Sequence, residues 1–197
     1  MSNTSATGGY LLPTATQPIP GGLTLAQFLQ TVLVGISGLD GKLVRPSWQI
    51  APPKNPDLSV NWLAFGDLLH SPDANAYVGV DADDATIMQR HEGIEIPCSF
   101  YGPEAMEYAA LVRDGFQLSQ NTEALRAAKM GFVEVNQARR MPDLVNERWI
   151  NKVVMSVFLR REIIRVYPIL PILSANGTVH TVIGDEPYLF DWETKTP

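Results

Sequence analysis

A run of alternating side chains in the last third of the chain constrains the fold most. Val153, Met155, Val157 and Leu159 alternate with Lys152, Val154, Ser156 and Phe158. A repeat of two places the first set on one side of a β-strand. The run is expected to continue through Ile163, Ile164 and Val166 to Pro168, with a kink at the charged Arg160-Arg161-Glu162. A second long alternation runs from Thr86 to about Tyr101, with Ile94, Ile96, Cys98 and Phe100 inward.

Helical signals are fewer. Thr24 followed by Gln27 reads as a capping box. Leu25, Phe28, Leu29, Val32, Leu33 and Ile36 then form one apolar stripe, facing a polar but uncharged side. That uncharged side reads equally as a packing face for a neighbouring subunit or as a weakly charged surface. Gly102-Pro103-Glu104 opens a second helix with proline at its first position, and Met106, Ala109, Ala110, Val112 and Phe116 supply its apolar side. Asn121 is expected to cap a shorter helix ending near Met130, with Gly131 as its stop.

Between Asp40 and Pro56 the prolines at 46, 52, 53 and 56 rule out regular structure. Shorter strands are expected at Leu58 to Leu69, Ala76 to Val80 and Phe132 to Asn136, and Met141-Pro142-Asp143 turns the chain. Asn176-Gly177 reads as a turn before a last strand, Thr178 to Ile183. The fold class that follows is α+β: an antiparallel or mixed sheet flanked by two or three helices on one face. Residues 23–183 form its single domain. Residues 1–22, rich in Gly, Pro, Ser and Thr, form a flexible N-terminal arm, and residues 184–197 a polar tail anchored by Tyr188, Phe190 and Trp192.

Composition narrows the function. The net charge of −6 argues against a general nucleic-acid binder, and the lone Cys98 cannot form an intrachain disulfide. No charged residue occurs in the first 39, yet a secretory signal lacks its basic start and its continuous apolar core. Leu23 to Leu39 approaches membrane-span length but contains Thr24, Gln27, Gln30, Thr31 and Ser37, so no membrane role is expected.

A search for chemistry finds little. Phosphate-cradling glycine loops and the G-x-S-x-G nucleophile turn are absent from the sequence. His91-Glu92-Gly93-Ile94-Glu95 resembles a zinc-protease signature, but it ends in Glu and lies in a strand pattern. Asp81, Asp83, Asp84 and Glu92 copy parts of a calcium loop, whose turn glycine is replaced by Thr86. His70, His91 and His180 are dispersed, and Cys98 reads as a buried inert thiol. No enzymatic activity, cofactor or metal is expected.

Charge is divided along the chain. Between Asp67 and Glu107 there are nine acids and one base, Arg90, whereas Arg139 to Arg165 carries seven bases and three acids. Two oppositely charged regions suit head-to-tail assembly, although they also balance each other within one monomer. Asp81, Asp83, Asp84, Arg139, Arg140, Arg160, Arg161 and Arg165 are the candidate subunit-interface or lumen residues.

Several ordered stretches carry a family resemblance: Val60 to Gly66 (VNWLAFG), Gln89-Arg90-His91-Glu92, Cys98 to Pro103 (CSFYGP), Leu144 to Trp149 (LVNERW) and Leu159 to Pro168 (LRREIIRVYP). Together they resemble the neck or tail-terminator proteins of contractile-tailed bacteriophages, over roughly residues 43–180. The resemblance implies a structural virion protein at the head-to-tail junction, assembled in the host bacterial cytoplasm. It implies a homo-oligomeric ring of six subunits that terminates the tail tube and joins the tail to the head connector, with the tail sheath as a further contact. Genomic DNA would pass through the lumen without sequence-specific binding. Competing readings are another head-completion, adaptor or baseplate protein, a small hydrolase using Asp81, Asp84 or His91, and a prophage regulatory module.

Overall fold

The computed structural model describes residues 3–17, 23–66, 69–81, 85–145, 147–170, 174–183 and 186–195. In chain order the elements are β1 (Ala15–Gln17), α1 (Leu23–Ser37), β2 (Val44–Pro46), β3 (Trp62–Phe65), β4 (Leu69–Pro72), β5 (Tyr77–Val80) and β6 (Thr86–Tyr101). There follow α2 (Ala105–Gly115), α3 (Glu123–Ala127), β7 (Met130–Val135), β8 (Arg139–Arg140), β9 (Asp143–Val145), β10 (Arg148–Ile150), β11 (Lys152–Tyr167), β12 (Ser174–Ile183) and β13 (Glu186–Lys195). The architecture is α+β, with a large mixed sheet.

The two long alternations form the spine. β6 and β11 run antiparallel and pair over their whole length, from Lys152 opposite Tyr101 to Tyr167 opposite Thr86. Sixteen residues at ~3.3 Å each give a ribbon of about 50 Å. Each long strand has its outer edge covered in segments. β3, β4 and β5 pair successively with β6, while β8, β7 and β1 pair with β11. β2 adds a parallel edge beside β3, inside the Asp40 to Pro56 stretch expected to hold no regular structure; Pro46 is tolerated as its last residue, at the sheet edge. β9–β10 and β12–β13 are separate two-stranded hairpins.

Alternation decides which face is buried. Ile94, Ile96, Cys98 and Phe100 from β6 meet Val153, Met155, Val157 and Leu159 from β11 in register, and all eight are buried. Leu25, Leu29, Val32 and Leu33 of α1, with Ala105, Ala109 and Val112 of α2, complete the same core. Each fully buried large aliphatic side chain contributes about 1.5–3 kcal/mol. The core cluster ends on the spine at Ile94 and Leu159. Beyond it, Thr86 to His91 and Ile164 to Tyr167 are only half-buried.

Several sequence expectations need correction. No kink forms at Arg160 to Glu162, because register with β6 is unbroken there; the irregularity lies on the β7 side, between Phe158 and Leu159. Gly131 does not stop the third helix but pairs with Arg160 inside β7. The left-handed turn is made by Lys129, at φ 56°, and Asn121 donates its side-chain N–H to the Gly115 carbonyl instead of capping. Asn176-Gly177 is not a turn: β12 runs straight through it, opposite Glu193 and Trp192. Of the span Leu58 to Leu69 expected as one strand, Trp62–Phe65 forms β3 and Leu69 opens β4, and the second helix begins at Ala105, past Pro103. α1 begins at Leu23, so Thr24 lies inside it rather than at its cap.

Both termini are more structured than composition suggests. β1 adds to the β11 edge, with Ala15 opposite Val166, and Ser5 N–H donates to the Pro168 carbonyl. Glu186–Lys195, expected as tail, is a strand paired along its whole length with β12.

Candidate assembly surface

Where the apolar core ends, two facing charges take its place. Strand parity puts Glu92 on the same face as Ile94, and register places Arg161 directly opposite it. Arg161 Nε donates to Glu92 Oε1 at 2.5 Å, a second guanidinium nitrogen contacts the same oxygen, and His70 Nδ1 lies 3.1 Å from it. Both side chains are about nine-tenths buried, at 8% and 10% exposed. A buried carboxylate without a cation would be costly, and the opposing guanidinium offsets that cost.

The other candidate residues spread along the spine. Arg160 sits on the opposite face and pairs with Asp73 at 2.7 Å, half-exposed. Arg139 and Arg140 are exposed on β8 at the end of the spine near Val153. Arg165 is half-buried near the other end, between Thr16 of β1 and Met88 of β6 in register. Asp81 follows β5, where its Oδ1 accepts the Ala85 N–H at 2.9 Å. Asp83 and Asp84 lie outside the described residues.

The structure puts the Arg139-Arg140 pair and Asp81 at opposite ends of the spine, with Arg165 near the Asp81 end and Arg160 and Arg161 between them. Arg140 lies opposite Val153, and Val80, which precedes Asp81, lies opposite Thr86, the partner of Tyr167. Fourteen residues at ~3.3 Å separate these levels by about 45 Å. Two ion pairs, Arg160–Asp73 and Arg161–Glu92, join acidic and basic stretches inside one chain. Those cations are committed internally; Arg139 and Arg140 remain outward at the basic end.

A third ion pair supports that end. Lys152 Nζ lies 3.0 Å from Asp143 Oδ2 and 5.7 Å from the Tyr101 ring centroid. Desolvation alone would lower the Lys152 ammonium, but Asp143 and Tyr101 outweigh it and hold the pKa above its ordinary value. Tyr101 in turn stacks on Trp62 at 4.1 Å.

Two apolar features escaped the sequence reading. In the β9–β10 hairpin Leu144 and Trp149 are cross-strand partners, and both are exposed. Beside α1, the segment that follows β2 borders an open groove of about 1040 Å³. Trp48 and Ile50 are exposed along it, and its ionisable lining groups are Lys42 and Arg45. The signal for this groove was the pair Trp48 and Ile50 in a proline-rich stretch, where nothing in the local pattern demanded a large apolar side chain.

The candidate chemistries can be placed too. His91 and Glu92 are consecutive in β6 and project to opposite faces, so they do not converge. Glu92 is engaged by Arg161 and lies six residues, about 20 Å, along the strand from Thr86, the partner of Val80 just before Asp81, too far to share an ion with Asp81. Burial pushes the Cys98 thiol up to about 12, and its Sγ faces the Ile96 carbonyl. Among the described residues there is no cluster of three metal-ligating side chains and no helix long and apolar enough to cross a membrane.

The model of a family described as phage neck terminator protein matches residues 23–185. No curated protein matches the chain.

Proposed function

The chain belongs to the phage neck terminator family, a family of structural virion proteins at the neck, and from that premise we propose that it forms a homo-oligomeric ring closing the tail tube. The ring presents one face to the tail tube and the other to the head connector, and performs no chemistry of its own. Six subunits and a contractile tail with a sheath contact are what the sequence resemblance implies. Assembly takes place in the host cytoplasm.

The observation that carries the ring is the placement of charge. Asp81 and the basic Arg139-Arg140 pair sit at opposite ends of a spine about 50 Å long. A protomer with unlike ends associates head to tail, and such heterologous contacts close into a ring when the rotation permits. Charge of this kind sets register and partner choice more than affinity. The acidic stretch Asp81, Asp83, Asp84 is placed at the lumen or at a subunit boundary. Facing the lumen, it repels the phosphate backbone and lets DNA slide without the tight contacts that a basic lining makes.

The test is the mass of the purified protein by light scattering, alone and with tail-tube subunits, followed by electron microscopy of tails made without it. The expected result is a ring, free or on the tube, and tails of uncontrolled length that fail to join heads when it is missing. A monomer that ignores the tube, with normal joining in its absence, would sink the proposal. Association with DNA-filled heads instead of tubes would assign the chain to the head-completion adaptors.

A further inference from the structure

We propose that the β9–β10 hairpin is the seat for strand β5 of the adjacent copy, so that apolar side chains as well as charge join the two unlike ends. The proposal rests on the ring reading above and names the contact that links its subunits.

The seat is anchored on one side and open on the other. Register pairs Arg148 with Val145, Trp149 with Leu144 and Ile150 with Asp143. Strand period therefore puts Asp143 and Ile150 on one face of the hairpin, and Leu144 with Trp149 on the other. The first face is held by the body of the protein. Asp143 Oδ2 lies 3.0 Å from Lys152 Nζ, and Asp143 and Ile150 line a cavity of about 130 Å³ with Leu58, Trp62 and Tyr101. On the second face Leu144 and Trp149 are 58% and 69% exposed. Met141, whose N–H donates to the Lys152 carbonyl at the same end of the spine, is also more than half exposed.

Three exposed arginines, Arg139, Arg140 and Arg148, accompany these apolar groups. Their guanidinium groups make no hydrogen bond or ion pair among the described residues, whereas those of Arg45, Arg126, Arg160 and Arg161 are bonded within the chain. An apolar centre bordered by uncommitted cations fits an apolar partner that carries acids.

That partner lies at the other end of the same chain. Among the described residues β5 pairs with β6 alone, which leaves its second edge open. Tyr77, Val78 and Val80 are each more than half exposed. Asp81 follows them directly, with Asp83 and Asp84 close behind in the sequence. An open edge rich in aromatic and β-branched residues templates further association unless it is covered.

Topology makes the contact one between copies. Val80 lies opposite Thr86, whereas Arg140 lies opposite Val153, the partner of Phe100. Fourteen residues, about 45 Å, separate those levels, so strand and seat cannot meet within one spine. Each protomer offers the strand at one end and the seat at the other, the arrangement required of a heterologous, ring-closing interface. Asp81 then stands at the subunit boundary. A basic, aromatic surface also resembles a platform for nucleic acid, but the net charge of −6 repels DNA from the molecule as a whole.

The test puts the photoreactive residue p-benzoylphenylalanine in place of Tyr77 in the full-length chain, an aromatic for an aromatic. Irradiation is carried out in solution and in assembled tails, in mixtures with isotope-labelled unsubstituted chain that tell contacts between copies from contacts within one. The expected product joins position 77 to residues 139–149 of a labelled copy. Its yield should fall at least about tenfold when the labelled copy carries Trp149→Ser, or Arg139→Glu with Arg140→Glu. These side chains are exposed, so melting temperatures should stay near the parent's, and Leu144→Ser replaces either variant that fails to fold. Cross-links to another surface of the copy, to a different virion protein or to DNA, or a yield indifferent to these substitutions, would overturn the proposal. Closed rings at the neck without this product refute the contact and leave the ring standing. The product in open strings of subunits, with no ring, keeps the contact and refutes the ring; a monomer in both settings refutes both.

Discussion

Arg160 and Arg161 are neighbours in sequence with opposite environments, so replacing each by methionine gives a sharp comparison. Arg161→Met leaves Glu92, 10% exposed, with His70 as its remaining side-chain partner among the described residues, at 3.1 Å. Removing one partner of a buried pair costs about 3–5 kcal/mol, because the other charge stays buried without compensation. That is a large share of a domain stability of about 5–15 kcal/mol. At about 2–4 °C per kcal/mol for a chain of this size, the melting temperature should fall by roughly 6–20 °C. Arg160→Met breaks a pair whose side chains are 52% and 43% exposed, worth about 0–1 kcal/mol. The double variant Glu92→Leu with Arg161→Met should recover most of the loss, since an apolar pair of similar volume replaces the ionic one. Thermal unfolding by circular dichroism, checked by urea denaturation, reads all four proteins. If Arg161→Met melts together with Arg160→Met while its self-association fails, Arg161 serves an interface and the reasoning from burial is wrong.

Three further outcomes follow from named residues. The Cys98 thiol, raised from 9.0 to about 12, should resist iodoacetamide in the native state and react once urea unfolds the chain. Because the unfolded thiol ionises first, its contribution leaves stability unchanged below pH 9 and lowers it progressively from pH 9 to 12, which denaturation midpoints across that range will show. Gly102 has φ +106°, and a Cβ there would meet Asn61 Oδ1 at 2.5 Å and the Val60 carbonyl at 2.6 Å. Gly102→Ala should therefore cost about 1–3 kcal/mol from backbone strain alone, measured by urea unfolding, and an unchanged midpoint would show that the loop before α2 relaxes freely. Deleting residues 1–22 uncovers the β11 edge at Ile164 to Val166. Exposed edges template pairing with other chains, so the truncated protein should stay folded, aggregate faster by light scattering and join heads to tails poorly; normal behaviour in both assays would show that the arm protects nothing.

What could be read from the sequence follows the reach of each signal. Period-two alternation is set by the backbone itself, so the extents of β6 and β11 and their eight inward residues were legible without knowing any partner. The same alternation hid Glu92, because a charged residue at an inward position reads as a break. Only the register with β11 supplies Arg161 opposite and turns the expected kink into a continuous strand. Asn176-Gly177 failed for a related reason: a turn dipeptide signals a turn only when the flanking strands pair with each other, and here β12 pairs beyond it with β13. Tyr188, Phe190 and Trp192 did alternate, but Asp191 between them and the flanking Glu186 and Glu193 made the segment read as a polar tail. Of the candidate residues, the acidic and basic stretches were visible as composition. Their juxtaposition along the spine, which commits Arg160 to Asp73 and Arg161 to Glu92 and leaves Arg139 and Arg140 outward at one end, was not, since it depends on β6 and β11 running antiparallel over their full length.

The continuous pairing of β6 with β11 has a mechanical consequence. In an antiparallel ribbon the hydrogen bonds lie across the strands, so tension between the two ends of the spine shears every bonded pair at once. The same force applied across one end would peel the pairs apart singly. A subunit docked through the Asp81 and Arg139-Arg140 ends, as proposed above, would meet strain along its stiff direction. Single-molecule pulling from Arg140 and Asp81 should accordingly need more force than pulling β6 and β11 apart from Tyr101 and Lys152, and equal forces in the two geometries would refute it.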